Sequence, residues 1–152
     1  MKKPVYVLIA VSLVLVLLPA AASALLANET MGGCTPGYWK QPQHEGSWVG
    51  FEPTASYSVV FGVVAGPKTL LEALQTGGGG EKALGRHAVA ALLNASNPDV
   101  GYPNSVGEVL AIVQGAYNSR DFETAKNLLA VQNELDCPLG RGPTPTPTTP
   151  PE

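Results

Sequence analysis

Glu81-Lys-Ala-Leu-Gly-Arg-His-Ala-Val-Ala-Ala-Leu-Leu-Asn-Ala95 is the stretch that decides the fold. Leu84, Ala88, Ala91, Leu92 and Ala95 recur at helical spacing on one stripe, with Glu81 and Arg86 outside it. Alanines on that stripe imply that a neighbouring helix approaches closely. Upstream, Gly77-Gly-Gly-Gly80 maximises backbone freedom and ends an earlier helical period over Lys68 to Thr76, whose stripe is Leu70, Leu71 and Leu74. The glycine run lacks both a preceding strand and a following Gly-Lys-Ser/Thr. It therefore reads as a flexible connection between helices and not as a phosphate-binding loop.

Downstream, Asn97-Pro98 stops the central helix and Gly101-Tyr-Pro103 turns the chain. Ser105 with Glu108 three residues on makes a capping box ahead of Val106, Val109, Leu110, Val113 and Tyr117. Asp121 caps a last helix from Phe122 to about Glu134, with Phe122, Ala125, Leu128 and Leu129 inward and Glu123 paired to Lys126 outside. The expected fold is mainly α: a small bundle of about four helices with an ordered aromatic N-terminal loop and one disulfide. Asn28 to Phe51 shows no period and reads as that loop. Tyr57 to Val64, β-branched and aromatic, reads as a short strand or as the apolar wall of a loop.

The two ends differ from this middle. Lys2 and Lys3, an apolar run from Pro4 to Leu18 and the small residues of Ala22-Ser23-Ala24 form a Sec-type signal peptide cut after Ala24. The competing readings are an uncleaved anchor continuing through Leu25-Leu-Ala27 and a lipoprotein acylated at Cys34. Residues 25–33 read as a short linker, 34–140 as the globular domain, and 141–152 as a Pro/Thr-rich polyproline-type tail. Nine basic and twelve acidic residues give a net charge of −3. Removing residues 1–24 takes Lys2 and Lys3 and no acid, leaving seven against twelve, or −5. An acidic chain without a basic cluster argues against nucleic acid and anionic lipid as partners, so the membrane is met only through the signal segment before cleavage.

An exported chain meets oxidising conditions, and its two cysteines bracket the globular segment. Cys34 and Cys137 are therefore read as a disulfide. Closing a loop of roughly 100 residues contributes on the order of 4 to 5 kcal/mol in the chain-entropy model. The alternative is a pair of unrelated free thiols.

Gly33-Cys-Thr-Pro-Gly-Tyr-Trp-Lys40 resembles the opening signature of an uncharacterised family of secreted bacterial and archaeal domains. Leu84-Gly-Arg-His-Ala-Val-Ala-Ala-Leu-Leu-Asn94 is similar to that family's second landmark. The resemblance spans Cys34 to Cys137 and departs at Gln41-Pro42, where Asn-His is usual; His44 lies only nearby. It implies an extracellular, often surface-associated module and no established reaction.

The candidate binding residues are Tyr38, Trp39, Trp48 and Phe51, with Tyr57 close behind. Exposed rings stack on sugars or peptides, whereas buried rings would lid a small core. His44 and His87, with Glu45 or Glu52, are the residues available for a metal, yet no spacing requires one. No metal and no cofactor are assigned. Gly-x-Ser-x-Gly, Ser-x-x-Lys and His-Glu-x-x-His are missing from the sequence, so no catalytic residue is named. Glu45, Glu52, Glu72 and Asp99 are the acids available for glycoside hydrolysis. Asn28-Glu-Thr30 and Asn94-Ala-Ser96 match the N-glycosylation acceptor pattern. Together these features lead to a secreted or cell-surface interaction module, contacting an envelope glycan or a partner protein through Tyr38 to Phe51. A structural spacer or cap and a small extracellular hydrolase are the alternatives.

Overall fold

A computed structural model describes residues 31–140. The expected signal segment, Asn28 and the Pro/Thr-rich residues from 141 lie outside the described residues. Six α-helices follow one another: α1 Pro36–Trp39, α2 Tyr57–Phe61, α3 Leu70–Gln75, α4 Glu81–Ser96, α5 Val106–Ser119 and α6 Phe122–Asn133. Two 3-10 turns, Pro42–Ser47 and Pro138–Gly140, complete the regular structure among the described residues. The fold is mainly α, and α3 to α6 are the four helices expected from periodicity.

The central helix is more deeply placed than a single stripe implies. Ala83, Leu84 and every residue from Ala88 to Asn94 are buried, so α4 is enclosed on nearly all sides. A helix buried round its whole circumference over two turns, as α4 is from Ala88 to Asn94, is the hub of its domain. α1, α3, α5 and α6 all pack against it. Small residues allow that enclosure, because alanine lets neighbouring helix axes approach.

Local signals set the remaining helix ends. Ser105 Oγ accepts from Glu108 N and the Glu108 carboxylate accepts from Ser105 N, forming the expected box. The same reciprocal pattern joins Thr69 and Glu72 at the start of α3. Arg86 Nη1 donates to the carbonyls of Thr76 and Gly78 at 2.7 and 2.9 Å. The glycine turn expected to be flexible is thus clasped by the helix that follows it.

Four expectations need correction. Residues 28–51 are not wholly irregular, since α1 and the Pro42–Ser47 turn lie within them. Thr35 caps α1 and Pro36 fixes its first φ, which starts a helix too short for any period to register. Tyr57 to Val64 forms neither a strand nor a loop wall. It begins as α2, whose Tyr57 and Phe61 rings, four residues apart, meet at 4.5 Å before Gly62 ends the helix at φ 64°. One isolated bridge, Ser56 to Thr69, is the only β pairing among the described residues.

On α6 the inner face is Ala125, Leu129 and Asn133, whereas Leu128 is 48% exposed. The polar Asn133 occupies the inner position because it has buried partners. Lastly, the domain begins before residue 34. Gly32 and Gly33 are buried, and a Cβ at Gly33 would lie 2.0 Å from the Gln132 carbonyl oxygen. Only glycine permits that approach. Gly32 N donates to Gly101 O at 3.1 Å, so the end of the expected linker is part of the core.

Candidate functional site

Cys34 and Cys137 are joined, with Cα atoms 4.5 Å apart and a sequence separation of 103. The bridge fixes the start of the aromatic segment to the chain just beyond α6. From there Thr35 turns the chain into α1, and α1 aims successive side chains in different directions. Trp39 points inward and is fully buried, while Tyr38 stays half-buried at the surface.

Trp39 is held by the buried side chain of Asn94. Asn94 Oδ1 accepts from Trp39 Nε1 and from Cys34 N, and its Nδ2 donates to Cys34 O and Asn133 Oδ1, all at 2.9 Å. Asn133 Nδ2 then donates to the His87 carbonyl, and Tyr102 Oη donates to Asn133 Oδ1. The polar atoms of Asn94 are thereby satisfied inside an apolar core. Burial pushes the Tyr102 phenol well above its usual range.

Two sequence-based site assignments fall here. Trp39 is an internal anchor, because its ring has no solvent-facing surface on which a ligand could stack. Asn94 is not an acceptor for glycosylation in the folded domain, since its amide nitrogen is buried and donates two internal hydrogen bonds. The signal was present in the sequence as an asparagine among consecutive apolar helical residues.

Tyr38 stacks on His44 with ring centroids 3.8 Å apart and planes 17° apart, and meets Trp39 edge to face at 5.2 Å. His44 comes from the 3-10 turn, whose end is fixed by Asn97 Nδ2 donating to Ser47 O at 3.0 Å. Trp48 and Phe51 are half-buried against the core, and the Trp48 indole N–H is buried without a protein partner. The structure therefore brings Tyr38 and His44 into one stack, and Tyr38, His44, Trp48 and Phe51 are all half-buried. Tyr57 lies in the core against Phe61, beneath Lys68 Nζ at 4.5 Å from its ring. Burial, reinforced by the neighbouring Tyr117, drives its phenol far above the usual range.

His87 lies on α4 facing α6. Its Nδ1 is buried without a hydrogen-bond partner, and burial with the nearby Arg86 and Lys126 charges lowers its pKa against the opposing pull of Glu134. Among the described residues no group of three or more His, Cys, Asp or Glu side chains gathers to hold a metal ion. No described helix is long and apolar enough to cross a membrane. Comparison with protein-family models, with curated proteins and with solved structures yields no match to this chain.

Proposed function

We propose that this chain is a secreted or cell-surface interaction module whose contact face is the Tyr38–Phe51 segment. The observation that carries the reading is the half-buried Tyr38–His44 stack on a preorganised base. Trp39 to Asn94, Asn97 to Ser47 and the disulfide fix that base from three directions. A rigid aromatic surface loses little entropy when a glycan or protein settles on it. The leader and the resemblance of Gly33–Lys40 to secreted domains support export.

Cosedimentation with purified cell envelope and insoluble polysaccharides tests the proposal. Tyr38→Ala and His44→Ala should release the protein while leaving the unfolding temperature within a few degrees of the parent. Equal retention of both variants would refute this contact face. A spacer role draws on a different observation: both ends of the domain meet across the disulfide, where Gly33 N donates to Asp136 O. A unit entered and left at one point can sit within a longer surface chain without lengthening it.

A further inference from the structure

A half-open cavity of about 310 Å³ lies between the end of α2 and the last turns of α5, away from the aromatic segment. Val63 and Val64 form one wall; Gln114, Tyr117, Asn118 and Arg120 form the other. We propose that this groove binds an extended peptide carrying a carboxylate, with Arg120 pairing the acid.

Four observations lead there. Arg120 has no ion-pair or hydrogen-bond partner among the described residues, although the chain as a whole is acidic. Glu81, which meets the groove's Tyr117, already accepts from Tyr117 Oη at 2.9 Å and lies 3.9 Å from Lys68 Nζ, and Asp121, next to Arg120, accepts from Thr124 N. An arginine fork left free beside an apolar wall suits a carboxylate, which it can hold by two parallel hydrogen bonds.

Arg120 also adopts φ 63°, the only positive φ of a non-glycine residue among those described. Glycine is the usual residue for a helix end of this kind, so a side chain is kept at a position that disfavours one. Val64 is 98% exposed and Val59, on the preceding helix, 81% exposed. They are the two most exposed large apolar side chains described, and Val64 lines the groove itself.

The fourth observation distinguishes a peptide from a sugar acid. Past Gly62 the chain runs without regular structure through Val64–Gly66, and the amides of Val64 and Gly66 form no hydrogen bond within the described residues. Unpaired amides at alternate positions, with the Ala65 carbonyl between them accepting from Ser58 Oγ at 3.1 Å, are what an added strand pairs with. Gln114 Nε2 is committed to Phe61 O at 2.9 Å, leaving its Oε1 and the whole Asn118 carboxamide to meet the peptide backbone.

The test is a titration of the ¹⁵N-labelled, disulfide-closed chain with the capped peptide N-acetyl-Val-Glu-Val-amide, its Gln counterpart and glucuronate, read by amide chemical shifts. The expected result is that the acidic peptide moves the signals of Gly62 to Gly66, Gln114, Asn118 and Arg120. The Gln peptide should bind at least about tenfold more weakly, the scale of one lost charge-assisted pair. Arg120→Gly removes the guanidinium while suiting the backbone, so it should unfold no lower than the parent yet show the same loss. Silence toward the acidic peptide at millimolar concentration, undiminished binding by Arg120→Gly, or a response to glucuronate alone would each overturn the proposal.

Discussion

Replacing Asn94 by alanine should cost this domain a large part of its stability, because one carboxamide serves several buried groups at once. Its four hydrogen bonds are all 2.9 Å long. Truncation leaves Cys34 N–H, Cys34 C=O and Trp39 Nε1–H without partners, while Asn133 Oδ1 keeps the Tyr102 hydroxyl. Each orphaned buried group costs about 1 to 3 kcal/mol, and water entering the new space recovers part of it, so about 4 kcal/mol is expected. For a domain of this size that lowers the unfolding temperature by roughly 15 to 25 °C.

Asn94→Asp separates hydrogen bonding from volume. The carboxylate can still accept from Cys34 N and Trp39 Nε1, but it faces the Cys34 and Asn133 oxygens with nothing to donate. Only the protonated acid donates, so the folded-state pKa must rise above the unfolded value of about 3.9. A raised carboxyl pKa gives stability that is full below about pH 4 and is lost as pH rises through the folded pKa. Circular dichroism at 222 nm, followed on heating at pH 4 and pH 7, reads both effects. If Asn94→Ala unfolds within about 5 °C of the parent, or Asn94→Asp has the same deficit relative to the parent at both pH values, Asn94 does not hold Trp39 and the bridge in place.

Other perturbations have comparably definite outcomes. Replacing both Cys34 and Cys137 by serine opens a loop spanning 103 positions and should lower unfolding free energy by about 4 kcal/mol, read from urea denaturation midpoints. Gly33→Ala places a methyl group against the Gln132 carbonyl and should cost about 2 kcal/mol by overpacking, whereas Gly46→Ala, with open space around it, should be nearly neutral in the same assay. The folded state keeps His87 neutral to lower pH than the unfolded chain does. Its contribution to stability is therefore intact above about pH 6.5 and declines as pH falls below that value. A His87→Gln variant should flatten this part of the stability profile, as measured by thermal unfolding between pH 7 and pH 5.

The local rules of the chain were legible where they acted within one helix. Periodicity located α3 to α6, and Ser105 with Glu108 marked the start of α5 in advance. Compartment chemistry paired Cys34 with Cys137. α1 and α2, at four and five residues, are shorter than the window over which a period can be read. The aromatic content of α2 favoured a strand on propensity alone, and packing of Tyr57 and Phe61 into the core overrode it.

The candidate site was only half visible for a related reason. Sequence identified Tyr38, Trp39, Trp48 and Phe51 as a group, but inward and outward directions are set by what lies opposite each ring. Trp39 turns inward because Asn94, 55 residues away, meets its N–H; Tyr38 stays at the surface because α1 points it away and His44 stacks on it. Asn94 likewise joins Cys34 and Asn133 across separations of 60 and 39 residues. By itself, then, the sequence determined the four longer helices, the Ser105 and Asp121 caps and the covalent closure, because those depend on neighbours a few positions apart or on thiol chemistry. Tertiary structure alone decided which polar groups were buried and which groove kept an unpaired Arg120, because both depend on distant segments converging in space.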